Sequence, residues 1–278
     1  MAINKATVFQ SKTSDLLKAR RKSKEFTNND WSWEGAESII VSTLTDPTMN
    51  DYDANGGNSR YGEATEVEDT QQTWTLARDR SWTKTMDKKN VQDSMGIRNP
   101  GKYLAQATKN VLVPEMDTYI FQTIVTAGAL YDRDDIVADA ATTAANAYVN
   151  FLAINADITN REGHEEGRVA AMTADYYNFL KQSGFVLDSE AAYADRKSGN
   201  YGTVDGVKVF VVPSGRLPAN TDLIISHPAV TVAPEKLVDY TLHKNPVGVS
   251  GDLLEYRHRY DAFVDINQIY CVGIHKTA

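Results

Sequence analysis

Apolar and polar positions alternate most clearly between residues 72 and 77, where Trp74 and Leu76 share one side and Thr73, Thr75 and Ala77 the other. That period of two is the pattern of a half-buried strand. A run at 38–44, with Ile39, Ile40 and Val41 together, predicts an earlier strand, and 81–86 around Trp82 a later one. Residues 46–62 are polar and carry Pro47, Asn55, Gly56, Gly57 and Asn58, which is turn chemistry. The expected product is a long two-stranded arm, with Arg78-Asp79-Arg80 as a charged corner between the last two strands. Such a hairpin is marginal in water and leaves strand edges bare, so it calls for a partner surface.

The period then changes. Leu104, Ala107, Val111, Met116, Tyr119, Ile120, Ile124 and Ala127 mostly keep three-and-four spacing, which predicts a long amphipathic helix. Asn99 at the cap and Pro100 at the first position open it, and Gly128 is expected to end it. Pro114 lies inside the pattern, removes one backbone donor and crowds the preceding turn, so a kink or short break is expected near Val113. Further along, 136–158 reads as an alanine-rich helix, 168–172 as a short strand, and Thr173 as the cap of a helix through Gln182. Val204-Asp205-Gly206-Val207 signals a tight hairpin into a strand over 207–212. Residues 223–226 read as a buried strand and 234–242 as a helical turn. Segments 253–265 and 268–275 read as a closing antiparallel pair around Asn267.

Charge adds a second layer. Residues 1–24 hold seven basic side chains, Lys18, Arg20 and Arg21 among them, against Asp15 alone, while the whole chain has a formal net charge of −8. A basic arm on an acidic body suits docking onto acidic surfaces of sibling subunits, or contact with nucleic acid. The overall acidity argues for the former, because nucleic-acid binders cluster positive charge on one face. No apolar run is long enough for a membrane span, and the first 25 residues lack an apolar signal core, so no membrane partner and no export are expected. The single cysteine, Cys271, excludes an internal disulfide and reads as a small buried hydrophobe.

Motifs for chemistry are absent. There is no phosphate-binding glycine loop, no nucleophile elbow and no His-Glu-x-x-His spacing, and the five histidines are scattered. Asp51-Tyr52-Asp53-Ala54-Asn55-Gly56 begins like a calcium loop, but its twelfth position is Gly62 where a bidentate carboxylate is needed. Catalytic residues, cofactors and metals are therefore expected to be none. Arg78 and Arg80 share one side of a strand and Asp79 takes the other. They read either as solubilising charges or as ion-pairing groups between subunits, where the arginine fork suits carboxylates. Glu115 and Asp117 read as supports for the helix restarting after Pro114. The interface candidates are Trp74, Arg78, Asp79, Arg80, Trp82, Lys18, Arg20 and Arg21.

Four blocks resemble the major capsid proteins of tailed bacteriophages: Trp33-Glu34-Gly35 with 38–41 and Asn50-Asp51-Tyr52; Leu76 through Trp82 running into Thr85-Met86-Asp87-Lys88; Val111-Leu112-Val113-Pro114-Glu115-Met116-Asp117-Thr118-Tyr119; and Tyr240 through Pro246 with Arg259 through Val264. The resemblance implies the Hong Kong ninety-seven type capsid fold, an α+β architecture. Its parts would be an N-terminal arm (1–32), an extended β-hairpin loop (33–87), a peripheral domain with a long spine helix (88–135 and 243–278) and an α/β axial domain (136–242). It implies no enzyme but a self-assembling head shell, icosahedral or prolate, built of hexamers and pentamers around double-stranded DNA. DNA contact would be weak and non-specific, and the shell would assemble in the bacterial cytoplasm and reside in the virion. The arm is too short for a fused scaffolding domain, so the resemblance implies a separate scaffolding protein and a portal, and leaves open a decoration protein. Lys84, Lys88 and Lys89 do not identify a covalent cross-link site. Two other readings stay open at this point: an encapsulin-like compartment, and a small-oligomer enzyme with 46–62 as a flexible lid.

Overall fold

A computed structural model describes residues 20–28, 30–33, 37–56, 60–93, 99–137, 141–183 and 202–277. The chain divides into two compact units, Ser32–Ala77 and the remainder.

The smaller unit is a hairpin. Strand β1 (Ser38–Leu44) pairs antiparallel with β2 (Asp69–Thr75), placing Ile39 opposite Trp74 and Val41 opposite Gln72. Trp74, Leu76 and Val41 are buried, while Ile40 and Leu44 are exposed. Between the two strands, Gly62 adopts a positive φ of 90° where any side chain would meet Asn50.

After the hairpin the larger unit resumes with β3 (Asp79–Asp87), and here expectation and structure differ. The strand pair foreseen around Arg78-Asp79-Arg80 does not form, because β2 belongs with β1 and β3 lies at the edge of another sheet. That sheet has the order β3, β10 (Gly251–Tyr260), β9 (Glu235–Lys244), all antiparallel. Trp82 faces Tyr256, which faces Tyr240, so an aromatic ladder across the strands selects the register. The helical turn expected at 234–242 is thus strand β9; pairing with β10 overrides weak local preference.

Helix α1 (Lys88–Asp93) is short. Helix α2 (Pro100–Ala107) begins as expected, with the Asn99 side chain accepting from the Gly101 and Lys102 amides. A π-helical turn (Thr108–Leu112) then leads into α3 (Val113–Leu130). The Val113 amide donates to the Thr108 carbonyl, five residues back. The widened turn accommodates the missing donor and bulky ring of Pro114, so the irregularity precedes the proline and the helical path continues. Gly128 does not end the helix. A Cβ there would lie 2.3 Å from the Ile274 side chain, so glycine permits close approach of α3 to a neighbouring strand.

Helix α4 spans Ala147–Asn160, shorter than the helix expected over 136–158. Before it, the Asn146 side chain bonds the Thr143 amide and the Ala141 carbonyl, and Thr142 bonds Asp222, which holds a turn in place of helix. Strand β4 (Val169–Met172) follows, then α5 (Ala174–Gln182), capped by the Thr173 hydroxyl accepting from the Tyr176 amide as expected. Strands β5 (Thr203–Val204) and β6 (Val207–Val211) form the foreseen hairpin, with Asp205 and Gly206 at φ 49° and 77°. After β7 (Thr221–Ser226) and β8 (Thr231–Val232), β9 and β10 follow. Then come β11 (Phe263–Val264), a 3₁₀ turn (Ile266–Cys271) and β12 (Gly273–Lys276). The closing antiparallel pair expected from 253–265 and 268–275 is not formed. β10 serves the three-stranded sheet, β11 pairs with β8, and β12 pairs with β7.

The five-stranded sheet has the order β12-β7-β4-β6-β5, and only β4 and β6 run parallel. Alternate residues divide between two cores. Val169, Ala171 and Ile224 pack with Ile120, Phe121 and Ile124 of α3; Ala170, Met172, Leu223 and Ile225 pack with Phe151, Ile154 and Ile158 of α4 and Tyr176 of α5. A sheet covered on both faces explains why these strands read as unbroken apolar runs. Phe26, from a 3₁₀ turn at Ser23–Phe26, is fully buried in the first core, edge-on to Phe121 and Phe210. The folded body therefore begins inside the stretch expected to be a free arm. The sequence also suggests a short helix around 14–19 and mixed structure over 188–199; both lie outside the described residues.

A candidate assembly interface around the central helix

Arg78, Arg80 and Asp79 keep the alternation read from the sequence, but their charges have partners within the chain. Arg78 Nη2 and Arg80 Nε both donate to Glu115 Oε1, at 2.6 and 2.7 Å. Glu115 stands in the first turn of α3, so Pro114 helps to fix where that carboxylate points. Arg78 Nε also donates to the Tyr260 hydroxyl at 3.0 Å, and its guanidinium lies 4.2 Å from the centre of the Tyr119 ring. Tyr119 donates to Asp261 Oδ1 at 2.5 Å, and Asp261 Oδ2 accepts from the Arg78 amide at 3.3 Å. The network thus joins residue 78 to α3 and to the end of β10.

Burial pushes the Glu115 carboxyl upward, but the hydrogen bonds from Arg78 and Arg80 outweigh it and hold the group below the usual carboxylate range. Burial also raises the Tyr119 hydroxyl, reinforced by Asp261. On the other side, Asp79 takes a two-pronged contact from Arg257, Nε at 3.1 Å and Nη2 at 2.5 Å, which lowers its pKa. Trp82 stacks on Tyr256 with centroids 5.6 Å apart and meets Tyr103 edge-on at 5.7 Å. Trp74 is buried in the hairpin unit. Arg20 is exposed, Arg21 pairs with Glu235 at 2.5 Å, and Lys18 lies outside the described residues.

Sequence reasoning missed the most buried ionic site. Asp117 is completely inaccessible and accepts from the Lys22 and Ser23 amides, at 3.2 and 3.0 Å, and from Arg216 Nη1 at 2.7 Å. Arg216 Nη1 also donates to the Arg20 carbonyl. Asp117 therefore does more than support its own helix: it fastens the chain at 20–23 to α3. A signal was available, since Asp117 shares its helical stripe with Ile120, Phe121 and Ile124, and a carboxylate on a core stripe demands a buried partner. Nearby, Glu235 lies 3.4 Å from buried His258 as well as on Arg21. The His258 contact foremost, then Arg21, overcome burial and hold the Glu235 carboxyl down to about 2.

No family model matches the sequence, and no curated protein does. Solved structures do. A chain from Mycobacterium phage Che8 superposes with a TM-score of 0.76 at 18% identity, over 97% of this chain and 96% of that one. The mature capsid of bacteriophage PhiM1 gives 0.70 at 14% identity, over 98% and 92%. The capsid of the Cyanophage P-SCSP1u gives 0.73 at 13% identity, over 98% and 93%. The fold is that of phage capsid proteins. The α+β Hong Kong ninety-seven type architecture expected from the four sequence blocks is therefore present over nearly the full length. Among the described residues, no helix of this capsid-fold chain is long and apolar enough to cross a membrane.

Proposed function

We propose that this chain is the major capsid protein of a tailed double-stranded DNA bacteriophage and closes, as hexamers and pentamers, into the head shell. The observation that carries this reading is the superposition on phage capsid structures with more than nine-tenths of both chains aligned. In this reading the hairpin unit serves as the extended loop, α2 through α3 as the spine, the sheet β3-β10-β9 as the peripheral platform, and the five-stranded sheet with α4 and α5 as the axial domain.

The mechanism is geometric. A stiff body carries elements whose backbone edges and apolar side chains find cover on a neighbouring copy. Strand β9 is an edge strand of the platform with Leu237, Val238 and Leu242 exposed, and the hairpin exposes Ile40 and Leu44. Each such contact is modest, and a closed ring multiplies them. A separate scaffolding protein and a portal complete the assembly, and DNA meets the inner wall by weak contacts. The purified chain, alone and with its scaffold, is expected to elute as large species on size-exclusion chromatography and to form closed particles by electron microscopy. A discrete small oligomer under both conditions contradicts the proposal.

A further inference from the structure

Two histidines far apart in sequence lie face to face. His164, in the loop between α4 and β4, stacks on His227, just after β7, with ring centroids 5.0 Å apart and planes 13° from parallel. His164 is exposed and His227 half-buried. Both edges of the His227 ring are in use. Nδ1 accepts from the Ala229 amide at 3.2 Å and caps a 3₁₀ turn, Pro228–Val230. The opposite edge turns to the loop, where the Glu166 carbonyl accepts from the ring. Gly167, at a φ of 78°, leaves room for this approach, since a Cβ there would stand 3.2 Å from Nε2. An imidazole that accepts at one nitrogen and donates at the other is neutral.

The turn that His227 caps is an attachment point. Asn28 Nδ2 donates to the Ala229 carbonyl at 2.9 Å, the Asn28 amide donates to the Thr231 carbonyl at 2.9 Å, and Asn28 bridges in parallel to Val232. Residue 28 shortly precedes the hairpin unit, which begins at Ser32, so the turn fastens the chain close to the hairpin's N-terminal root.

A proton added at Nδ1 would face the Ala229 N–H, donor against donor. Among the described residues, the charged groups acting on the ring are both cationic: His164 across the stack and Arg168 at the foot of β4. Arg168 is buried and donates to the Gly163 and His164 carbonyls, which shapes the loop. The Glu165 and Asp205 carboxylates and the Cys271 thiol act on Arg168, and Glu166 offers His227 its carbonyl. Burial foremost, then His164, hold the His227 imidazole below its ordinary value against the pull of the Glu166 carbonyl, and Arg168 adds to the lowering.

We propose that His227 is a pH-operated latch: the neutral ring holds the Pro228–Val230 turn and through it Asn28, and the protonated ring releases the Ala229 amide and loosens both. The direction follows from the fold's preference for the neutral form. The latch is closed above the ordinary histidine value of about 6.5 and opens as pH falls from there through the lower folded value. It is built within one chain, so it stands or falls apart from the shell reading.

Hydrogen exchange of the full chain tests this, read by mass spectrometry on peptides covering 24–28 and 226–232, at steps between about pH 8 and 5, and corrected for the intrinsic pH dependence of exchange. Wild-type protection in both peptides should fall roughly five- to tenfold on acidification, the scale of one ordinary hydrogen bond. Peptides from α5 should hold their protection. His227→Asn keeps an acceptor near the Ala229 amide on a group that does not titrate, so its protection should ignore pH. His164→Gln removes the stacked cation, so the wild-type response should persist but move to higher pH, toward the ordinary histidine value. A purely structural role for the stack would leave that midpoint in place. The proposal is overturned if wild-type protection over 226–232 is flat across the range, if His227→Asn responds to pH as the wild type does, or if His164→Gln opens at the wild-type pH. Should His227→Asn be open at every pH, the His164→Gln midpoint decides: an upward move supports the latch and an unmoved one overturns it.

Discussion

At the scale of single residues, the decisive groups are carboxylates held by buried partners, Arg216 for Asp117 and His258 for Glu235. Asp117 is the clearest. Asp117→Ala removes the carboxylate that pairs with buried Arg216 at 2.7 Å and accepts from two backbone amides. The expected loss is ~3–5 kcal/mol by urea unfolding. The segment 20–28 should also become accessible to protease, since its fastening is gone. Glu235 makes a pH prediction. Its folded pKa of about 2 lies below the ordinary carboxylate value of about 4.3, so its contribution is fully present above pH ~4.3 and is lost as pH falls toward 2. With its side chain about one-third exposed, solvent screening limits that contribution to ~1–2 kcal/mol. Glu235→Gln should lower neutral-pH stability by this amount and flatten the acid limb of the stability curve in that window, as followed by thermal melts at stepped pH.

At the scale of elements, the hairpin unit and the folded body are separable in their contacts. Removing residues 46–62 and joining the ends with a short turn is expected to leave the melting temperature of the body unchanged while abolishing particle formation. Normal shells from that deletion would remove the hairpin from the mechanism. Elements with a local physical cause were legible in the sequence. Asn99-Pro100 and Thr173 cap their helices, Asp205-Gly206 turns its hairpin, and the Trp74 alternation marks β2. What failed depended on distant partners. β9 is a strand because β10 runs beside it, and β3 leaves β2 because Trp82 finds Tyr256 more than 170 residues away. The candidate site divided in the same way. The pattern placed Arg78 and Arg80 on one side, but their common partner Glu115 was visible only once α3 had been brought to them.

At the scale of the whole molecule, charge is segregated: one small unit holds the net negative charge and the remainder is balanced. Assembly should accordingly depend on ionic strength far more than folding does. Raising salt from about 0.05 to 0.5 M shortens the screening length from roughly 14 to 4 Å. Light scattering should then show slower and less complete assembly, while the monomer's melting temperature shifts little. Equal particle yields across that range would contradict an electrostatic contribution. Arg78 carries a consequence for mechanics. It is the first residue of the body after the hairpin, and it is riveted through its amide to Asp261, through its side chain to Glu115 and Tyr260, and by its ring contact to Tyr119. Tension drawn along the hairpin's C-terminal root thus divides at one joint between the long helix and the central strand β10, so a pull is felt through the chain's stiffest members rather than stretching a loose tether.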